Sequence, residues 1–345
     1  MSLEVFAHKV KALGYLLRPN QLKYAVLLIT NRCNLSCPYC QIRDSAKREL
    51  SLTEWKLVID RLLGWGVAYF NISGGEPFLR DDVEALVQYI VSNNRVATVT
   101  SNGTLITEEK VDRLSRSGLS VLTLSADSQD GFGKGDFDKV ISILARARAR
   151  GIIPVLHCVI TSENINCVLD LASRTVKSGI FFSCCLYQAI GGIQSRREDS
   201  LIPELCDVEQ IFSVLKDIKR RTGMVKTSYD YMDNLRRYSM QGWHCHSTNA
   251  DWIAVDSDGS LLACCERSTD VSLFDVKTIP GERWDQLREW AVKDCPGCYY
   301  ECYFTEGEVY KGNKLLREVP SVPGFWLNSL YLLLANFRSL VLIHE

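Results

Sequence analysis

From Tyr24 onward the chain alternates short apolar runs with longer stretches whose apolar positions recur every three or four residues. The first kind fits buried strands, and the second fits helices with one buried face. The runs Tyr24–Thr30, Val67–Ser73, Val96–Ser101, Leu119–Ser125, Ile152–Ile160 and Phe181–Gln188 predict six strands. Helical periodicity over Leu52–Leu63, Asp81–Asn93, Glu108–Arg116, Phe137–Arg150 and Cys167–Lys177 separates them, and Ser51 or Thr53 is placed to cap the first helix. Successive βα units predict an α/β fold with a parallel sheet and right-handed crossovers. Its chemistry belongs at the carboxyl ends of the strands. A loop over Gly191–Pro203 and a last helix over Val208–Lys219 close this domain near Gly223.

Beyond it, Trp252–Val255 and Leu261–Cys265 read as two strands joined by Asp256-Ser257-Asp258-Gly259, a strong hairpin signal. Leu3–Leu17 has helical period and ends at Pro19, either as a cap on the main domain or as an interfacial helix. Phe325–Glu345 is mostly apolar but is interrupted by Asn328, Ser329, Asn336, Arg338 and Ser339. It is too broken for a membrane span, and packing on the domain competes with lying on a membrane surface. The expected organisation is residues 1–23 as an N-terminal helix, 24–223 as the main domain, 224–318 as a cysteine-rich module and 319–345 as an apolar helix.

Composition narrows the class. With 345 residues, 46% hydrophobic and 23% charged, a well-packed core is expected rather than disorder. A net charge of −1 from 40 basic and 41 acidic residues offers no field for nucleic acid. Fourteen cysteines are the anomaly. No cationic, apolar signal peptide opens the sequence, so a cytoplasmic protein with metal-ligating thiols is expected rather than a disulfide framework.

The segment Thr30–Cys40 follows the first apolar run and spaces Cys33, Cys37 and Cys40 as Cys-x3-Cys-x2-Cys. Three soft sulfur ligands on one loop suit a cubane iron–sulfur cluster, with one iron left open for a small molecule. Structural zinc wants four ligands, and no fourth Cys or His lies nearby. Three small buried thiols at a chance spacing are the bland alternative.

This stretch resembles the signature of the radical S-adenosylmethionine (SAM) superfamily. The resemblance implies a partial (β/α)6 barrel in which SAM chelates the open iron of a 4Fe–4S cluster. It also implies reductive cleavage of SAM to a 5′-deoxyadenosyl radical that takes hydrogen from a C–H bond of the substrate. Tyr39 is implied to pack near the cluster and adenine. Gly74-Gly75-Glu76-Pro77 follows the second strand, where glycines let backbone approach a ligand and Pro77 stiffens the exit. The resemblance assigns Gly74, Gly75 and Glu76 to the amino group of SAM. It places Ser101, Asn102 and Ser125 near the SAM ribose and the substrate, and the backbone at Thr161 near adenine or ribose. Those residue types favour turns and caps in any case, and Asp127 stands evenly between capping and substrate contact.

Other polar residues in this half read as structural. His157 lies within a strand, where packing is commoner than catalysis. Of the adjacent Cys184 and Cys185, only one can face the cavity. Cys167 and Cys206 fall on helical patterns and are expected in the core.

The second cysteine set comprises Cys245, Cys264 and the later Cys295, Cys298 and Cys302, with Cys265 beside Cys264. Cys245, a spacer and then Gly259-x4-Cys264 is similar to the opening of the auxiliary-cluster domains called SPASM and twitch. The resemblance implies one further 4Fe–4S cluster on Cys245, Cys264, Cys295 and Cys298, with Cys302 as the alternative fourth ligand. Four thiolates with a Cys-x2-Cys pair also suit zinc. His244 and His246 flank Cys245 and read as surface or supporting groups. A radical SAM enzyme with a small cysteine-rich hairpin/helix module is therefore expected, fed by a low-potential donor such as flavodoxin or ferredoxin. A peptide, a lipid or isoprenoid at the membrane, a sugar or other small metabolite stay open as substrates. A non-catalytic iron–sulfur or zinc scaffold is the reading from a different class.

Overall fold

The computed structural model describes residues 24–44, 47–127, 136–237, 244, 252–264, 266–277, 282–293, 295 and 297–305. The helices expected over 3–17 and 325–345 lie outside them, as do Ser128, Cys245, His246 and Cys265. All six expected strands are present: β1 (Tyr24–Leu28), β2 (Tyr69–Ser73), β3 (Val96–Ser101), β4 (Val121–Ser125), β5 (Ile153–Ile160) and β6 (Phe181–Leu186). Between them run α1 (Leu52–Gly64), α2 (Val83–Ser92), α3 (Glu108–Arg116), α4 (Phe137–Ala149) and α5 (Val168–Lys177). Each strand pairs in parallel with the next in sequence. After them come α6 (Leu205–Thr222), α7 (Tyr229–Asp233), β7 (Trp252–Val255), β8 (Ser260–Cys264), β9 (Arg267–Ser272), α8 (Glu282–Lys293) and α9 (Glu301–Phe304).

Local chemistry explains the first helix. Ser51 and Glu54 form a reciprocal capping box, and Trp55, Val58, Ile59 and Leu62 recur on one fully buried face. Burial of each such side chain favours the fold by about 1.5–3 kcal/mol. Along the strands the two-residue period sorts side chains between the helical layer and the interior. Thr123, Ser125, His157, Val159, Ser183 and Cys185 face the interior cavity, whereas Leu124, Cys158 and Cys184 are buried on the other side.

An open parallel sheet leaves two unpaired edges, and this chain covers both. At β6, residues 224–227 run alongside: the Phe182 amide donates to Met224 O at 2.9 Å, and the Lys226 amide donates to Phe182 O at 2.7 Å. At β1, β7 adds a further parallel strand whose four residues are all buried. β8 and β9 then continue antiparallel, giving one nine-stranded sheet in the order β6-β5-β4-β3-β2-β1-β7-β8-β9. The expected hairpin is present, with Gly259 in the left-handed region at φ 88° and its amide on Asp256 O at 2.9 Å. It extends the main sheet instead of forming a sheet of its own. β9 had no apolar signal, because Arg267–Ser272 is a polar edge strand.

Candidate active site

The cysteine loop leaves β1 and is fastened to the turn after β2 by backbone alone. The Ile29 amide donates to Ser73 O at 3.0 Å, that of Gly75 to Thr30 O at 2.7 Å and that of Glu76 to Arg32 O at 2.8 Å. A Cβ on Gly74 would meet Thr30 O, and one on Gly75 would meet Arg32 O, closer than real Cβ atoms approach. Gly74 also sits at φ 136°. The two glycines are thus required by their contact with the cysteine loop itself, beyond any approach to a ligand.

Glu76 makes the next connection. Fully buried, it accepts from Ser101 Oγ and the Asn102 amide, both at 2.8 Å, and from the Phe78 amide at 3.0 Å. Its carboxylate holds the end of β3 beside the Gly-Gly turn. Asn102 in turn donates to Asn34 Oδ1 at 2.9 Å and reaches Cys33 Sγ at 3.9 Å. The Leu35 amide also points at Cys33 Sγ, at 3.5 Å. Tyr39 is buried and its hydroxyl donates to Asp127, whose other oxygen accepts from the Val159 amide at 2.8 Å. Burial, then the neighbouring Asp127 charge, hold the Tyr39 hydroxyl well above its ordinary pKa. Among the described residues Asp127 is not a helix N-cap, and it is not among the residues lining the cavity. It locks Tyr39 against β4 and β5.

Cys33, Cys37, Cys40, Tyr39, Gly74, Gly75, Ser101, Asn102 and Ser125 all line one cavity of about 410 Å³ inside the strand ends. Glu76 lies behind that lining. Thr161 is fully buried and is not a lining residue; its amide donates to Asn164 Oδ1 at 2.8 Å. His157, expected to be packed, faces the cavity with Cys185, while Cys184 is sealed behind it. Cys167 is half-buried at the start of α5, and Cys206 is exposed on α6 instead of lying in the core. The helix begins at Leu205, ahead of the expected Val208, and Cys206 falls on its solvent side. Among the described residues, no three or more His, Cys, Asp or Glu side chains are gathered as ligands of a single metal ion. Three thiols on one cavity wall are a soft donor set that suits an iron–sulfur cluster.

The second cysteine set lies beyond β8. Cys264 ends that strand, and Cys295 and Cys298 follow α8. The Glu266 amide points at Cys264 Sγ and the Gly297 amide at Cys295 Sγ, both at 3.4 Å. These contacts, two residues on from the cysteine, repeat the geometry at Cys33. Burial pushes the Cys264 thiol up, and the charges of Glu266 and Cys295 add to it. Against this stands Arg288, 1% exposed, whose Nη1 donates to Ala263 O. Its Nε and Nη2 are buried with no hydrogen-bond partner among the described residues. A buried, under-satisfied cation beside thiols fits an anionic thiolate–metal group. Cys302 falls on α9 with its side chain outside the described set, and His244 is exposed.

Glu266 joins the two regions and carried no sequence signal. Its carboxylate accepts from the Gln194 amide at 3.0 Å, the Ser195 amide at 3.1 Å and Tyr300 Oη at 2.6 Å. The same 194–196 segment pairs with the cysteine loop: the Gln41 amide donates to Gln194 O, and the Arg196 amide to Tyr39 O, both at 2.9 Å. Only tertiary structure could reveal such a hub, since its two amide partners lie about seventy positions upstream and Tyr300 lies 34 positions downstream.

Residues 27–174 match the family model described as the radical SAM superfamily, so that stretch carries a radical SAM domain. That superfamily uses a 4Fe–4S cluster and SAM as cofactors. The PqqA peptide cyclase of Gluconobacter oxydans is 25% identical over 294 residues, covering 78% of this chain and 80% of its own. That of Rhizobium meliloti is 27% identical over 278 residues, covering 76% and 70%. Among solved structures, Streptococcus suis SuiB bound to precursor peptide SuiA superposes with a TM-score of 0.57 at 16% identity, over 90% of this chain and 70% of SuiB. Native anSMEcpe with AdoMet and the Cp18Cys peptide gives 0.59 at 16% identity, over 94% and 99%. These two likenesses are of fold.

Proposed function

We propose that this chain is a radical SAM enzyme that modifies a peptide, using two iron–sulfur centres beside one cavity. The observation that carries the reading is the junction at Glu266, which ties the second cysteine set to the 194–196 segment paired with the first cysteine loop. The peptide assignment is supported by what the relatives act on or bind: two PqqA peptide cyclases, SuiB with its precursor peptide, and anSMEcpe with a peptide. Among the described residues no helix is long and apolar enough to cross a membrane.

Cys33, Cys37 and Cys40 would hold the SAM-binding cluster, which when bound supplies reductive cleavage of SAM to a 5′-deoxyadenosyl radical. Donors from Leu35 and Asn102 toward Cys33 Sγ withdraw charge from that thiolate. Gly74, Gly75, Ser101, Asn102 and Ser125 offer backbone and hydroxyl groups to SAM from the strand ends, and Tyr39 fixes the wall beside them. Glu76 and Thr161 act from behind that wall. At the second site, Cys264, Cys295 and Cys298 are ligands, with Cys245 or Cys302 as the fourth and Arg288 as counter-charge. On this reading residues 24–223 form the SAM barrel and 224–318 the auxiliary module. A flavodoxin- or ferredoxin-like donor supplies the electron.

The test is anaerobic reconstitution, iron and sulfide analysis, and EPR with and without SAM. Two cubanes give about eight irons per chain, and the Cys33/Cys37/Cys40→Ala triple variant loses about four of them. A SAM-perturbed signal that vanishes in the triple variant supports the assignment. Zinc in place of the second cubane would leave the auxiliary site structural and overturn the two-centre reading.

A further inference from the structure

The cavity wall opposite the cysteine loop carries chemistry that SAM binding does not use. His157 on β5 stands in register with Ser183 on β6, and Val159 with Cys185. His157 Nδ1 is 3.2 Å from Ser183 Oγ, and its Nε2 is 3.4 Å from Cys185 Sγ. All three side chains line the cavity. The thiols next to them in sequence point the other way and are sealed. Burial holds Cys158 well above its ordinary pKa, and pushes Cys184 to about 12. Cys185 alone of these three strand cysteines has both a cavity and an imidazole.

We propose that Cys185 and His157 form an acid–base pair on the substrate side of the cavity, the Cys185 proton passing to His157 Nε2 so that a thiolate faces the substrate. The step moves one proton and no electrons. An S–H bond breaks, an N–H bond forms at Nε2, and Nδ1–H is donated to Ser183 Oγ. Thiolate beside imidazolium is the usual form of an activated cysteine. It can then take a proton from an acidic group of the bound substrate, which re-forms the thiol while the imidazolium keeps the first proton. The nature of that substrate rests on the peptide reading; the proton transfer in the free enzyme does not.

Titratable neighbours on the packed elements are Asp127 after β4, Cys158, Cys184, Tyr231 on α7 and Glu301 on α9. Tyr39, Tyr187, Tyr300, Arg43, Glu266 and Glu301 share the cavity lining with the cysteine loop. Burial leaves Tyr231 and Cys158 uncharged at neutral pH, so the imidazole is the base in contact with Cys185.

The experiment is site-resolved alkylation of the anaerobically reconstituted enzyme by iodoacetamide, read by peptide mass spectrometry across a pH series. Cys206, exposed on α6, is the internal reference. The expected result is a Cys185 labelling midpoint at least about one pH unit below that of Cys206. His157→Asn slows Cys185 labelling at neutral pH by about tenfold and leaves Cys206 unchanged. Ser183→Ala, which keeps both partners, slows it by a smaller factor. Coincident profiles for Cys185 and Cys206, no labelling of Cys185 at any pH, or indifference to His157→Asn would each overturn the pair. The wild-type comparison decides the matter even if a variant does not fold. An early Cys185 midpoint in an enzyme whose EPR ignores SAM would sink the function proposed above and leave the pair standing.

Discussion

The two cysteine regions are built by different means. Around Cys33, Cys37 and Cys40 the positioning is done mainly by backbone: three amide–carbonyl bonds join the loop to the turn after β2, and two glycines make room for them. Around Cys264, Cys295 and Cys298 it is done by side chains, with Glu266 gathering two amides and a tyrosine, and Arg288 packed over Trp252 at 5.3 Å. Backbone pairing fixes a site through the fold, so it tolerates only glycine at the crossing. Side-chain pairing fixes a site through charge, so it responds to substitutions that leave the fold intact. The first region should therefore fail by steric insult and the second by neutralisation.

The largest effect is expected from Gly75→Ala. Its new methyl would press on the Arg32 carbonyl, which is backbone and cannot swing aside. Overpacking of this kind costs about 1–3 kcal/mol, and the cysteine loop must shift to relieve it. The expected outcome is loss of about four of eight irons and of the SAM-responsive EPR signal, with the second site still loaded. If Gly75→Ala keeps its full iron content and SAM response, the steric account of the first region is wrong.

Glu266→Ala should come next and reach both regions. It leaves two amides and the Tyr300 hydroxyl without their acceptor, a cost of about 1–3 kcal/mol. Second-site iron should fall. The first site should keep its iron but show altered EPR line shape, because the 194–196 segment pairs with Tyr39–Gln41. Glu266→Gln retains an acceptor and should be milder. Equal effects of the two variants would mean that a neutral acceptor does not suffice and that charge is what Glu266 contributes.

Arg288→Met keeps volume and removes charge. Folding should be nearly unaffected, since most of the guanidinium makes no hydrogen bond to the described residues. The auxiliary centre should become harder to reduce, by an amount read from a potentiometric EPR titration, while the SAM-linked signal stays put. A shift at both centres would show that the two regions are electrostatically one site, and would break the contrast between them.

How much of this could be read from the chain follows the same division. The six βα units, the Cys-x3-Cys-x2-Cys loop and the Gly-Gly-Glu-Pro turn are contiguous, so periodicity and spacing expose them. The Asp-Ser-Asp-Gly hairpin was legible too, but not its place beside β1, because strand partners are chosen by edges that only the folded sheet presents. Glu266 and Arg288 act through partners far away in sequence, and nothing local distinguishes them from surface charges. His157 was read as packed because a lone histidine in a strand has no period of its own. Its side of the pleat is decided by the register between β4, β5 and β6. Tyr39 was legible as an aromatic beside the last cysteine, but Asp127, which holds it, was not.

That last contact gives the smallest effect and tests whether any part of the first region depends on a side chain. Tyr39 is held far above its ordinary pKa by burial and by Asp127, so the folded state favours the neutral phenol. A group with a raised folded pKa contributes stability that is whole below its unfolded pKa, about 10 for tyrosine, and that is lost as pH rises through the folded value. At neutral pH ionisation of Tyr39 therefore contributes no pH dependence. Tyr39→Phe should alter neutral-pH stability only by the lost hydrogen bond, about 0.5–1.5 kcal/mol. Above about pH 10 the variant should lose stability less steeply than wild type, as read from anaerobic thermal melts at increasing pH. Parallel melting curves would mean that another group bears the alkaline limb. A loss of first-site iron in Tyr39→Phe would mean that the loop needs the Asp127 contact as much as it needs its glycines.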